Sequence, residues 1–324
     1  MDAAASGRVL VVGGTHGNER NAAWLVETWR RRPGRLRRHG LAVELVIGNP
    51  AAHASGRRYV ERDLNRSFEP ALLADPDRRE LEVERARQLL AAHGPAAAEP
   101  CLVALDLHST TAAMGNCLVV YGRRPEDLAL AAGLQGRLGL PIYLHEGDPS
   151  QRGFLVERWP CGLVVEVGPV PQGVVQAAIC RQTQLSLEAA LGVLADARAG
   201  RLRLPPALVV HRHLRSLDLP RHADGSPAAV VHPRLQHRDW QPIHPGDPLF
   251  LSAEGIGQAY GGPGADEEGP LWAVFVNEAA YEEKGIAVSL TRRERWPLEP
   301  GWGEALGALA AQLEVRKPVE RLPR

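Results

Sequence analysis

Two histidines and a glutamate carry the clearest chemistry in this 324-residue chain. His16 and Glu19 stand three apart in Gly13-Gly14-Thr15-His16-Gly17-Asn18-Glu19, directly after the apolar run Val9-Leu10-Val11-Val12. His108 closes a second apolar run, Leu102-Val103-Ala104-Leu105-Asp106-Leu107. Two imidazoles and one carboxylate, with a fourth position left for water, form a known catalytic zinc arrangement. Asp106, two residues before His108, is placed to orient a ligand from behind. The structural alternative is a glycine turn with a surface histidine and a glutamate that favours a helix dipole, and a second histidine satisfied at the rim of the core. A phosphate cradle is the weaker option, because no GxxxxGK pattern and no nearby lysine accompany the glycines.

Glu166 lies inside Gly162-Leu163-Val164-Val165-Glu166-Val167-Gly168-Pro169. A carboxylate in an otherwise apolar strand costs free energy unless it is paired or employed. Its functional reading is a general base that takes a proton from the attacking water. Partial burial would raise its pKa, and a neighbouring metal charge would draw it down. Its structural reading is a solvent-facing residue of an edge strand. Arg58, Asp63, Asn65 and Arg66 lie together in a helix-poor stretch. Asparagine with arginine suits a carboxylate ligand, because guanidinium matches it bidentately.

The elements that must position these groups alternate. Strands are expected at 8–12, 41–47, 101–107, 117–121, 142–144 and 163–167. Helices are expected at 21–31, 78–93, 125–138 and 173–198, and a loop-like stretch runs to Pro76. Such alternation implies an α/β layer with a largely parallel sheet and flanking helices. In open α/β sheets ligands bind beyond the carboxyl ends of strands, where His16 and His108 fall. From Leu204 onward short apolar runs alternate with proline-rich turns, and no helix is expected until about 303. That texture implies a small antiparallel β domain, so residues 1–202 are read as the catalytic α/β domain and 203–324 as a β-rich C-terminal domain.

Composition narrows the function class. Thirty-eight basic and 38 acidic residues cancel, which gives no global reason to expect nucleic acid or an anionic membrane as partner. Lys284 and Lys317 are the lysines of the chain, so an arginine cluster such as Arg30-Arg31-Arg32 carries little information. No apolar run reaches the roughly 18 residues of a membrane helix. The start of the chain does not read as a signal peptide. Four cysteines without a CxxC pair (Cys101, Cys117, Cys161, Cys180) fit a reduced, cytoplasmic protein. A homo-oligomer is compatible with all of this.

Taken in order, His16-Gly17-Asn18-Glu19, Asp63-Leu64-Asn65-Arg66, Asp106-Leu107-His108-Ser109-Thr110, Glu166-Val167-Gly168-Pro169 and Asn277-Glu278-Ala279-Ala280-Tyr281 resemble the aspartoacylase family. That family is related to the succinylglutamate desuccinylases and the zinc carboxypeptidases. Pro171-Gln172-Gly173 and His244-Pro245-Gly246-Asp247-Pro248 match in between, and the resemblance spans about residues 8 to 285. It implies a zinc-carboxypeptidase-like fold and a zinc amidohydrolase, with one zinc ion per chain, that removes the acyl group from a small N-acyl amino acid. Carried over by position, His16, Glu19 and His108 would hold the zinc and Glu166 would be general base and acid. Arg58 would polarise the amide carbonyl, Asn65 and Arg66 would hold the α-carboxylate, and Tyr281 would reach in from the C-terminal domain.

The resemblance implies N-acyl-L-aspartate as substrate, giving acetate and L-aspartate from the acetyl compound. Arg152 is the nearest match to the arginine that grips the side-chain carboxylate in aspartoacylases. The sequence departs from that pattern in three places. The spacing from Arg152 to Glu166 is longer, no tyrosine lies in the stretch from His145 to Gln151, and Ser109 stands where aspartoacylases often have asparagine. Ser55-Gly56-Arg57-Arg58-Tyr59-Val60 also resembles the sister aminoacylases, which act on N-acyl aromatic amino acids. Hydrolysis of N-acyl aromatic or neutral amino acids is therefore the alternative. A peptidase is disfavoured because the β domain is expected to crowd the pocket, and a non-catalytic binding protein because all five key positions are filled.

Overall fold

Apolar residues that alternate along the first strand set up two faces. In β1 (Arg8–Gly13), Val9 and Val11 pack into one core cluster while Leu10 and Val12 pack into another. The structure, a computed structural model, describes residues 7–146, 148, 151–262, 264 and 269–315. Gly147, Pro149 and Ser150, part of the stretch read ahead of Arg152, lie outside the described residues, as does Lys317.

The first half supplies β2 (Val43–Ile47), β3 (Cys101–Ser109), β4 (Gly115–Tyr121), β5 (Ile142–His145) and β6 (Cys161–Gly168). Its helices are α1 (Arg20–Arg31), α2 (Pro50–Ser55), α3 (Pro70–Ala74), α4 (Leu81–His93), α5 (Pro125–Leu138) and α6 (Ala177–Arg198). The second half supplies β7 (Ala207–Leu217), β8 (Ala229–Val231), β9 (Gln241–Ile243), β10 (Pro248–Ser252), β11 (Gly257–Ala259), β12 (Leu271–Val274), β13 (Val288–Pro297) and α7 (Pro300–Ala311).

Among the described residues, ten strands form one sheet in the order β2-β1-β3-β6-β4-β5-β7-β13-β12-β9. Pairings among β2, β1, β3 and β6 are parallel, as are β4 with β5 and β5 with β7. β4 runs antiparallel to β6, and the β13, β12 and β9 edge is antiparallel. A separate three-stranded antiparallel sheet has the order β11-β10-β8. The mixed, largely parallel sheet with flanking helices and a small antiparallel sheet is thus the expected architecture. One feature of it is non-local: β7 and β13 extend the main sheet rather than standing apart from it.

Helices α1, α5, α6 and α7 cover one face, burying Trp29, Leu130, Leu191 and Leu306 against Val11, Leu105 and Val165. Burying each such side chain contributes about 1.5–3 kcal/mol. On the other face, α4 and the loops around Phe68, Leu155 and Trp159 pack over Leu10, Ala104 and Val164. The stretch expected to be loop-like before Pro76 contains α2 and α3. Asn49 caps α2 by accepting from Ala52 N at 3.1 Å, and prolines open both helices. Helices of five and six residues, opened by proline and in α2 capped by Asn49, leave no periodic pattern to read.

Candidate metal centre and substrate cleft

The loop between β1 and α1 brings His16 and Glu19 inward, and it has room to do so only because Gly17 is a glycine. A Cβ on Gly17 would meet the Ala52 backbone at 2.1 Å. His108 arrives from the carboxyl end of β3. The three side chains are buried, and their ligand atoms lie within 4.8 Å of one another. Nδ1 of His16 is 2.6 Å from Glu19 Oε1, and Nδ1 of His108 is 2.9 Å from Glu19 Oε2.

A second carboxylate backs each imidazole. His16 Nε2 lies 3.0 Å from Asp63 Oδ1, and His108 Nε2 lies 2.8 Å from Asp106 Oδ2. Thr15 Oγ1 donates to the other oxygen of Asp106 at 2.7 Å. A neutral imidazole that donates through Nε2 keeps its lone pair on Nδ1. Two such lone pairs and a carboxylate then converge on one point, an arrangement that a divalent cation stabilises and that matches the ligand set of zinc hydrolases. Burial would raise the Glu19 carboxyl, but His16 and His108 hold it well below the usual carboxylate range. For His108, burial opposes the charged ring, and Asp106 and Glu19 outweigh it and raise the pKa well above normal. Both directions describe a site in which positive charge is strongly favoured.

Arg58 reaches the same centre, with its guanidinium 3.3 Å from Glu19 Oε1 and 3.3 Å from Asp63 Oδ2. Burial opposes its charge, while Asp63 and Glu19 more than compensate. The loop that carries it is organised by Glu82, which is fully buried in the first turn of α4. Glu82 accepts from the backbone N–H groups of Val60, Glu61 and Arg62 at 2.7 to 3.1 Å and from Asn49 Nδ2 at 2.9 Å.

Glu166 sits on β6 directly opposite His108 on β3 and lines the cleft. Burial pushes its carboxyl well above the usual range, with Glu19 and Glu278 adding to the effect and His108 and Arg58 opposing it. Asn65 is fixed by donating its backbone N–H to Asp63 Oδ1 and accepting from Leu155 N at its side-chain oxygen. Arg66 stacks over Phe154 with its guanidinium carbon 4.1 Å from the ring centre, and it donates to Asn65 O and Gln151 Oε1. Tyr281 packs against Phe275, 5.2 Å between centroids, and burial pushes its hydroxyl pKa up.

These groups line one cleft, together with Tyr121, Tyr143, His145, Gln151, Phe154 and Glu278. The fold therefore brings together His16, Glu19, His108, Glu166, Arg58, Asn65, Arg66 and Tyr281. Arg152 is not among them. It is exposed and lines two neighbouring cavities; one shares Tyr121, His145, Gln151 and Phe154 with the cleft, and the other shares Gln151 and Arg66.

Glu278 is the functional residue that local sequence reasoning left without a role. One of its oxygens accepts from Thr110 Oγ1, from Thr111 N and Oγ1, and from Ala112 N; the other accepts from Ala280 N. It thereby ties the segment after His108 to the chain that carries Tyr281. Its only sequence signal is its place in Asn277–Tyr281, because its partners from Thr110 to Ala112 lie 166 to 168 residues away.

Comparisons with known proteins agree with this fold. The family model for the succinylglutamate desuccinylase/aspartoacylase catalytic domain matches residues 5–194, and that for the AstE/AspA barrel-sandwich hybrid domain matches residues 206–293. A probable aspartoacylase of Parasynechococcus marenigrum (strain WH8102) is 61% identical over 301 residues, 93% of this chain and 98% of that protein. One of Synechococcus sp. (strain CC9605) is 58% identical over 303 residues, 94% of this chain and 98% of that protein. The crystal structure of murine aminoacylase 3 superposes with a TM-score of 0.80 at 35% identity, covering 92% of this chain and 98% of that one. A succinylglutamate desuccinylase from Chromobacterium violaceum shares the fold, with a TM-score of 0.57 at 19% identity over 91% of this chain and 87% of that one.

Proposed function

The chain belongs to the succinylglutamate desuccinylase/aspartoacylase family of hydrolases, and on that premise we propose that it hydrolyses the amide bond of N-acyl-L-amino acids with one zinc ion per chain. The observation that carries this reading is the convergence of His16, Glu19 and His108 within 4.8 Å, each histidine backed by its own carboxylate. A zinc ion held by these three residues supplies positive charge that polarises a carbonyl and makes water more acidic.

The chain's own residues do the rest. Glu166 takes a proton from the attacking water and delivers it to the leaving amine nitrogen, so the acid and base roles fall to one carboxyl. Its burial suits it, since a carboxyl raised above the ordinary range takes up a proton more readily than an exposed one. Arg58 directs its guanidinium toward the carbonyl oxygen as negative charge develops there, a donor held in place by Glu19 and Asp63. Asn65 and Arg66 hold the α-carboxylate at the opposite end, and Tyr281 closes the cleft from the second half of the chain.

Two readings of the amino acid remain compatible with this chemistry. The names of the relatives favour L-aspartate, for which Arg152 would pair the side-chain carboxylate. The exposed position of Arg152 and the wall of Tyr121, Tyr143, Phe154 and Phe275 favour a neutral or aromatic side chain. The test of the shared chemistry is release of free amino acid from a panel of N-acetyl-L-amino acids by zinc-loaded protein, with zinc quantified in the same sample. Absence of turnover across the panel would overturn the proposal.

A further inference from the structure

Between Ser55 and Leu64 the chain forms neither helix nor strand, yet this stretch carries Arg58 to the cleft. Val60 and Glu61 are exposed and Arg62 is half-buried, so side-chain packing does little to hold it. Its backbone is held instead. Three successive amides, those of Val60, Glu61 and Arg62, donate to the carboxylate of Glu82 at 2.7, 3.1 and 3.0 Å. Successive N–H groups turned on one anion form a concave nest, which exists only while all three residues keep their backbone conformation.

Nothing in that contact can be traded for water. Glu82 is 0% exposed, and each of its oxygens accepts from two donors: Val60 N and Asn49 Nδ2 on Oε1, Glu61 N and Arg62 N on Oε2. It stands in the first turn of α4, where the positive end of a helix favours a carboxylate. Glu61 returns the contact by accepting from Leu81 N, at the start of the same helix, at 2.5 Å. The two ends of the stretch are held differently. Asp63 is fixed on its own account, with its side chain accepting from Asn65 N, its carbonyl accepting from Ser67 Oγ and its carboxylate against His16. The backbone of Arg58 is tied at its carbonyl, which accepts from Gly17 N at 3.0 Å. Among the described residues the next backbone anchor along the chain is Glu82, which grips Val60 two residues on.

We infer that Glu82, which is not among the residues lining the cleft, is a positioning residue for the hydrolysis. Through the nest at 60–62 it sets where the Arg58 guanidinium stands against Glu19 and Asp63, without touching the substrate. This inference rests on the amide-hydrolysis reading and adds to its machinery a residue outside the cleft. A carboxylate that only stapled the loop to α4 would contribute to stability and leave the rate of the folded enzyme alone. One that holds Arg58 changes the rate through Arg58.

Glu82→Gln keeps the shape of the side chain and replaces one oxygen by an amide NH2, so two of the four donors face another donor. In zinc-loaded enzyme with unchanged zinc content, kcat should fall about 10–100-fold, the usual loss when an outer partner of a site is removed, with KM within about twofold. In the Arg58→Ala background the same change should cost no more than about twofold, because residues that act through one another are not additive. Hydrogen exchange reads the loop without turnover. The amides of Val60, Glu61 and Arg62 should exchange at least about tenfold faster in Glu82→Gln, with those of β1, β3 and β6 unchanged. Should that variant not fold, Glu82→Asp, which keeps the charge and shortens the reach, should show the same pattern in smaller measure. An unchanged kcat, a loss as large in the Arg58→Ala background as in the unaltered one, or unchanged exchange at 60–62 overturns the inference. Absence of hydrolysis by the unaltered enzyme retires the hydrolase reading and this role with it, while hydrolysis with additive losses retires the role alone.

Discussion

His108 and Glu166 are directly paired residues of the parallel strands β3 and β6. The imidazole proposed as a metal ligand and the carboxyl group read as the proton carrier are thereby held side by side on one sheet. Glu19 completes the relationship from the adjacent β1 loop, taking His108 Nδ1 at 2.9 Å and Ser109 N at 3.1 Å.

Replacing Glu166 by glutamine should leave zinc content and melting temperature unchanged and lower kcat by at least about two orders of magnitude, the usual contribution of general acid–base catalysis. Its carboxyl is raised above the ordinary value of 4.5, and a base must be deprotonated to act. In the unaltered enzyme kcat/KM should therefore rise with pH along a limb centred above 4.5, and that limb should vanish in Glu166→Gln. Near-normal turnover in the variant would return Glu166 to a structural role.

Arg58→Ala removes the guanidinium proposed to face the developing negative charge. By analogy with loss of one oxyanion donor, kcat should fall by about 10²–10³. Steady-state kinetics on one N-acetyl amino acid decides it, and an effect confined to KM would show that Arg58 binds ground state and transition state alike.

Arg66 and Arg152 should separate cleanly. Every N-acyl amino acid has an α-carboxylate, so Arg66→Ala should reduce kcat/KM for acidic and neutral substrates alike by about 2 kcal/mol or more, the scale of losing one partner of a buried charge pair. Arg152 is exposed and lies outside the cleft, so Arg152→Ala should leave both within about twofold, a difference small beside the 1.4 kcal/mol of a tenfold change. A selective loss for N-acetyl-L-aspartate would instead restore the aspartate reading.

The chemistry of this site was legible because it is local. His16 and Glu19 lie on one turn, His108 ends an apolar run, and Glu166 interrupts another. The helix expected at 125–138 is α5 at Pro125–Leu138, bounded by proline at its start and glycine after its end. What stayed hidden is non-local or too short. The pairing of β7 with β5 and of β13 with β7 depends on register across the chain. Glu82 reads as an ordinary first-turn acid of an amphipathic helix, and only the fold shows it buried and gripping the Val60–Arg62 backbone. Arg152 was assigned by resemblance, and chain position alone could not tell that Gln151 and Phe154 would line the cleft beside it.

Glu278→Ala would strip the acceptor from the backbone N–H groups of Thr111, Ala112 and Ala280. A buried donor left unsatisfied costs about 1–3 kcal/mol, so denaturant unfolding should show a loss of about 3 kcal/mol or more. Turnover should fall as well, since the segment following His108 loses its anchor to the chain carrying Tyr281. An unfolding curve that coincides with that of the unaltered protein would contradict this role.

The central claim is tested most directly by titrating metal-free protein with zinc while following both the bound ion and the hydrolysis of an N-acetyl-L-amino acid. Bound zinc and turnover should rise together and saturate at one ion per chain, and His16→Ala and His108→Ala should abolish both. Full hydrolysis by the metal-free protein, or stoichiometric zinc binding that survives loss of both histidines, would contradict the account.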